Sequence, residues 1–154
     1  MKDWGEAPVF GVPTEGQRYM VRPSAYGLIA DGHGQLAVAR TPQGFTLPGG
    51  GIEDGETPAQ AAAREALEEC GLIVRTGLWA IRAVQFTYSE SDRAHYEKWS
   101  TFLDAVVEAV AHSGTEADHE LVWVTPGTAI ETLASGSHRW AVESWRHLNP
   151  ASRR

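Results

Sequence analysis

Cysteine occurs once in this chain, as Cys70. A lone cysteine cannot close an intrachain disulfide or supply a cysteine-rich zinc site. Long hydrophobic runs are missing too: no stretch of eighteen or more apolar residues occurs, so no segment reads as a transmembrane helix. Basic residues are in the minority, 13 Lys and Arg against 20 Asp and Glu, for a formal net charge of −7. A protein that grips a nucleic acid polymer by its phosphates needs a basic face, and this balance argues against one. The start, "MKDWGEAPVF", has no basic segment leading into an apolar one. It does not read as a secretory signal, and a cytoplasmic location is the expectation.

What remains fits one folded unit. A chain of 154 residues can build one core and hardly two, and no repeat, low-complexity tract or linker divides it, so a single domain over 1–154 is expected. Residues 1–18, rich in Gly and Pro, read as a loose lead-in or an edge strand. "YMVRPSAYGLIA" (19–30) and "QLAVAR" (35–40) read as strands joined by the turn sequence "DGHG", and "GFTLP" (44–48) as a short strand entering a glycine loop. Strands are further expected over 72–89, 98–110 and 120–125, with helices near 126–135 and 138–148. Interleaved strands and helices with hairpin-like connections predict an α/β fold, a mixed sheet covered by helices.

The densest stretch is "LPGGGIEDGETPAQAAAREALEECGL" (47–72). Its second half reads as a helix over 57–70. Thr57 suits the N-cap, Pro58 the first helical position, and Gln60 completes a capping box with Thr57. Gly71 stands where helices commonly stop. On a wheel of about 100° per residue, Glu65, Glu68 and Glu69 share one arc. Ala59, Ala63, Ala66, Leu67 and Cys70 gather on another, small enough to sit close to a sheet. Like charges at this spacing repel by roughly 0.2–0.5 kcal/mol per pair on an exposed helix. A hard divalent cation with oxygen ligands removes that repulsion, and Mg²⁺ commonly takes one or two carboxylates together with phosphates and water. Gly49, Gly50 and Gly51 let backbone approach such an ion and its phosphates closely. Arg64 can orient the carboxylates through a bidentate contact. The plainer alternative is an acidic, solvated helix face without function.

The pattern Gly50-x5-Glu56-x7-Arg64-Glu65-x2-Glu68-Glu69-x-Gly71-Leu72 resembles the Nudix box, the signature of the Nudix hydrolase family. It spans residues 50–72, about 15% of the chain, and every charged and glycine position is present in register. Ala66 fills a position where the family has a larger aliphatic residue. The later segment "HELVWVTPGTAIETLASGSHRWAVESW" is also similar to that of MutT-like bacterial members.

The resemblance implies a Nudix fold, a mixed sheet sandwiched between helices. It also implies Mg²⁺-dependent hydrolysis (Mn²⁺ being the alternative ion) of a nucleoside diphosphate linked to another group. Glu65, Glu68 and Glu69 then become metal-binding carboxylates with the Gly49 carbonyl as a further ligand. Glu56 supports the site and Arg64 orients it. The general base in this family lies either in the box or on a loop before the late strand, here "TEADHE", which offers Glu116, Asp118 and Glu120. Glu120 and Glu116 are the candidates.

Outside the box, Arg40 ends a strand before the glycine loop, where a phosphate contact is plausible, though a plain surface arginine is the commoner case. His33 reads as a solvated turn residue. His112, His119, His138 and His147 show no metal-ligand spacing among themselves. "SHRW" (137–140) reads as a helix start capped by Ser137, Cys70 as a small core residue, and Trp79, Trp99, Trp123, Trp140 and Trp145 as mostly core. Within the family, the acidic balance argues against an mRNA-decapping member, and the single cysteine against an isopentenyl diphosphate isomerase. The absence of proline in 73–89 weakens an ADP-ribose reading. Tyr88 lies near where dinucleoside polyphosphate hydrolases tend to carry a tyrosine. The expected substrate is a nucleoside triphosphate, standard or oxidised, split to monophosphate and pyrophosphate. The alternatives are a dinucleoside polyphosphate or nucleotide sugar, or a domain that binds nucleotide without cleaving it. The expected partner is a small-molecule nucleotide rather than a nucleic acid polymer or membrane, and a homodimer is compatible with the sequence.

Overall fold

A computed structural model describes residues 4–111 and 116–148; His112 and Thr115, noted above, lie outside them. Eight strands form one mixed sheet: β1 (Val9–Phe10), β2 (Met20–Ala30), β3 (Leu36–Thr41), β4 (Gly44–Thr46), β5 (Gly49–Gly51), β6 (Leu72–Ser89), β7 (Ala94–Val110) and β8 (Glu120–Val124). Their order is β1-β6-β7-β2-β3-β4, with β5 added to β2 and β8 to β3. β2 runs parallel to β7 and β1 parallel to β6; the other pairings are antiparallel. No helix among the described residues is long and apolar enough to cross a membrane.

Helix α1 (Pro58–Cys70) covers one face of the sheet, and α2 (Pro126–Thr132) and α3 (Gly136–Leu148) cover the other. The two faces use different side chains. Under α1 the contacts are small: Ala61 and Ala62 meet Ala25 and Leu103, and Ala66 and Cys70 meet Ile29, Ala37, Ala39 and Ala105. Under α3 they are large, with Tyr26, Leu28, Phe102, Val142 and Trp145 in one cluster. Small residues bring the α1 backbone close to the strands, which sets the height of every side chain that α1 presents at its margins.

The start of α1 follows the expected capping chemistry. The Gln60 amide donates to Thr57 Oγ1 at 3.1 Å, and the Thr57 amide donates to Gln60 Oε1 at 2.9 Å. Gly71, at φ 67°, ends the helix in a left-handed conformation that favours glycine. The buried arc is rotated from the one expected. Leu67 is exposed, and Ala59 and Ala63 are only partly buried, whereas Ala61, Ala62, Ala66, Glu69 and Cys70 are buried. The rotation turns Glu69 inward, where it has polar partners.

Of the two readings of residues 1–18, the edge strand holds: Val9–Phe10 pairs with Val84–Gln85 at the margin of the sheet, and Trp4 packs on Trp99. Three further expectations are corrected. The triglycine is a strand, β5, rather than a loop. The long strand expected from residue 98 begins at Ala94. Finally, α3 starts at Gly136, so Ser137 lies inside its first turn and does not cap it.

Candidate functional site

β5 pairs with β2 through Ser24↔Gly51, Ala25↔Gly50 and Tyr26↔Gly49. The Ile52 amide donates to Pro23 O and the Gly27 amide to Pro48 O. Backbone groups alternate along an antiparallel ladder, so those of Gly49 and Gly51 face the edge away from β2. Side chains from α1 take them up. The Gly49 amide donates to Glu69 Oε1 at 2.9 Å, and the Gly51 carbonyl accepts from Arg64 Nη2 at 3.1 Å. Glycine is required at Gly49, where φ is 156° and a Cβ would collide with the Ala25 carbonyl oxygen; a Cβ on Gly50 would point at Glu65 Oε1, 2.8 Å away.

Arg64 organises the acids. Its Nε and Nη2 donate to the two Glu56 oxygens at 2.8 and 3.0 Å, while Nη1 reaches Glu65 Oε1 at 3.1 Å and Glu68 Oε2 at 3.2 Å. The bidentate contact with Arg64 holds the Glu56 carboxyl below its ordinary range, helped by the Glu53 amide. Glu56 and, less strongly, Glu65 in turn push the Arg64 guanidinium further toward its charged form. Bidentate contacts of this kind fix direction as well as distance.

Glu69 behaves differently. It is 3% exposed, with Oε1 on the Gly49 amide and Oε2 3.1 Å from His119 Nε2. Burial pushes its carboxyl up to about 9, the Gly49 amide pulling the other way and the Glu65 charge adding to the rise. His119 Nδ1 lies 3.1 Å from both Glu116 Oε2 and Asp118 Oδ1. The Glu116 amide donates to Glu68 O at 3.2 Å, which ties this loop to α1. Burial raises the Glu116 carboxyl, His119 opposing, with Glu65 and Glu68 adding to the rise.

Two trios therefore bring donor atoms within 4.8 Å of one another: Glu65, Glu68 and Glu116, and Glu69, Glu116 and His119. The first is all oxygen, beside a strand edge with outward carbonyls, and that chemistry suits Mg²⁺ or Mn²⁺. A cation would relieve the crowding that Glu65 and Glu68 impose on the Glu116 carboxyl.

The other sequence candidates fall elsewhere. Arg40 and Glu120 pair with each other across β3 and β8, at 3.2 Å and largely exposed, and Arg40 also lies over the Phe45 ring. The loop acid brought to the glutamates is Glu116. Sequence reasoning set His119 aside because it sought spacing among histidines, whereas its partner Glu69 lies on another element. The sequence marks His138 only as part of a helix start, with no ligand spacing to the other histidines. It is buried, stacked against Tyr26 and Phe102, and its Nδ1 accepts the Leu47 amide at 3.2 Å, just before the glycine strand. Burial lowers its pKa to about 3, with the Lys98 and Arg139 charges adding to the effect, so the ring is neutral and able to accept.

A family model described as the NUDIX domain matches residues 20–143. An RNA pyrophosphohydrolase of Rhizobium meliloti is 38% identical over 76 residues, covering 46% of this chain and 40% of that protein. An RNA pyrophosphohydrolase of Aliivibrio fischeri is 45% identical over 53 residues, 33% of this chain and 31% of that protein. An 8-oxo-dGTP diphosphatase of Proteus vulgaris is 45% identical over 56 residues, 32% of this chain and 50% of that protein. The matched stretches thus span half or less of those relatives' lengths. Among solved structures, a MutT protein from Methanosarcina mazei superposes with TM-score 0.64 at 21% identity, covering 87% of this chain and 99% of that one. A C. elegans Ap4A hydrolase superposes with TM-score 0.66 at 15% identity, covering 84% and 98%. At such identities the superpositions show a shared fold and no more.

Proposed function

The chain belongs to the NUDIX domain family, and on that premise we propose that it is a metal-dependent pyrophosphohydrolase. Its substrate is a nucleoside diphosphate linked to another group, specifically a nucleoside triphosphate, standard or oxidised, released as monophosphate and pyrophosphate. The observation that carries this reading is the meeting of Glu65, Glu68 and Glu116 at the outer edge of a glycine strand.

In this reading Glu65 and Glu68 hold the ion from α1, Glu116 from the loop, and the Gly49 carbonyl from the strand edge. A divalent cation there would neutralise phosphoryl charge and acidify a bound water. Arg64 keeps Glu65 and Glu68 aimed, and Glu56 keeps Arg64 aimed. Glu69 fixes the strand through the Gly49 amide. Glu116 replaces Glu120 as the acceptor of the water proton, because Glu116 shares the cluster and Glu120 is paired with Arg40.

The test is hydrolysis of a panel of standard and oxidised nucleoside triphosphates, dinucleoside polyphosphates, nucleotide sugars and ADP-ribose, in Mg²⁺ and then in EDTA. Cation-dependent release of pyrophosphate and a nucleoside monophosphate is the expected result. Binding without turnover would mark a sensing domain instead. A second reading, removal of pyrophosphate from an RNA 5′ end, draws support from the names of the Rhizobium and Aliivibrio relatives. The net charge of −7 weighs against a long RNA substrate. A 5′-triphosphorylated oligonucleotide in the same panel separates the two.

A further inference from the structure

The face of β5 opposite Glu65 carries an arginine that the box pattern does not contain. Arg22 lies on β2, two residues before Ser24, which pairs with Gly51. Its guanidinium lies over the Tyr96 ring, 5.0 Å from the centroid, and Nη1 donates to Asp92 Oδ2 at 3.3 Å. Tyr96 Oη donates to the same Asp92 oxygen at 3.0 Å, and the Asp92 amide donates to Ser89 Oγ at 3.3 Å. A Cβ on Gly51 would stand 2.9 Å from Arg22 Nε and 3.0 Å from Nη2. Neither of those two nitrogens has a hydrogen-bond partner among the described residues. The guanidinium is thus held at one corner, while two donors lie against backbone that has no side chain.

Alternation along the strand makes this placement specific. The Cβ that Gly50 lacks would point at Glu65, and the Cβ that Gly51 lacks would point at Arg22. β5 is therefore a wall one backbone thick, with carboxylates on one side and a guanidinium on the other. A cation held by the acids would bind one phosphoryl group on that side. The next group along a polyphosphate that crosses the outer edge of β5 comes within reach of Arg22. The planar fork of arginine matches phosphate oxygens in a way that a point charge does not.

We propose that Arg22 binds a phosphoryl group of the substrate on the face of β5 opposite the glutamates, with Asp92 and Tyr96 as positioning residues. This rests on the function proposed above. Each member of the Arg22–Asp92 pair is about 40% exposed, so the pair adds little to stability. Its contribution is to leave Nε and Nη2 turned toward the strand.

The test is calorimetric titration of the full chain, in Mg²⁺, with inorganic tripolyphosphate and with a nucleoside triphosphate carrying an α,β-methylene bridge. Arg22→Ala should weaken both probes by about tenfold or more and flatten the salt dependence of binding. Arg22→Lys should recover only part of the loss, and Asp92→Asn should cost a few-fold. Were Arg22→Ala to lose its fold, seen as a collapsed melting transition, Arg22→Lys decides in its place. Wild-type affinity in whichever variant decides overturns the proposal. If the wild-type protein hydrolyses nucleotide while these variants bind normally, only the Arg22 assignment falls. If it neither binds the probes nor hydrolyses anything, the function proposed above falls and takes this assignment with it.

Discussion

Two arginine–glutamate contacts in this protein have the same length and very different surroundings. Arg64 Nη1 lies 3.2 Å from Glu68 Oε2, and Arg40 Nη1 lies 3.2 Å from Glu120 Oε2. Arg64 is 22% exposed and donates to five oxygens on four residues; Arg40 and Glu120 are 56% and 65% exposed and meet through one carboxylate oxygen. An exposed pair is screened by water and must hold two long side chains still, so it contributes about 0–1 kcal/mol. A guanidinium shared among several fixed acceptors loses its freedom once and orders all of them. Distance does not rank these contacts; the number of fixed partners and their burial do.

The largest effect expected from this contrast comes from breaking the cluster at an acid. Glu68→Gln should lower hydrolysis by about a hundredfold or more, because loss of a carboxylate proposed to hold the metal exceeds the 10–100-fold typical of residues behind it. Steady-state rates together with an unchanged circular dichroism spectrum check this; near-normal turnover would remove Glu68 from the site. Arg64→Lys comes next. It keeps the charge and discards the fork, so activity should fall about 10–100-fold, and added Mg²⁺ should not restore it.

The third prediction probes how the glycine strand is held from behind. His138 has its folded pKa lowered to about 3, against about 6.5 when unfolded. Between those values the unfolded chain binds more protons, so His138 stabilises above pH 6.5 and its contribution is lost as pH falls toward 3. At pH 5 the loss is about 2 kcal/mol. Urea denaturation across pH 4–7 should show that slope in the wild type and a shallower one in His138→Asn; equal slopes would exclude this histidine as their source.

The smallest effect belongs to the exposed pair. Glu120→Gln should leave kcat within about threefold of wild type and cost under about 1 kcal/mol of stability. Glu116→Gln, measured beside it, should lose about a hundredfold in rate. If Glu120→Gln proved the more damaging, the contrast between the two pairs would invert and Glu120 would be the better candidate for the base.

Much of this was legible in the linear chain because its causes are local. Thr57, Gln60 and Gly71 set the limits of α1 through hydrogen bonds spanning three to five residues. The i, i+3, i+4 spacing of Glu65, Glu68 and Glu69 follows from the pitch of one helix, and so does the reach of Arg64 to Glu68. Which way that helix rolls was not legible. Leu67 is exposed and Glu69 buried because Glu69 finds the Gly49 amide and His119, one on a strand before the helix and one on a loop more than forty residues after it.

The sequence by itself determined the helix, its caps, its row of carboxylates and the bare backbone of Gly49, Gly50 and Gly51, since propensity, capping and periodicity act over a single turn. Only the tertiary structure decided that β5 pairs with β2 with acids on one face and Arg22 on the other. Only there do Glu116 rather than Glu120 join the cluster and His138 turn neutral behind Leu47. Those outcomes depend on register between strands far apart in the chain and on the dielectric cost of burial, and neither is encoded in any short stretch of residues.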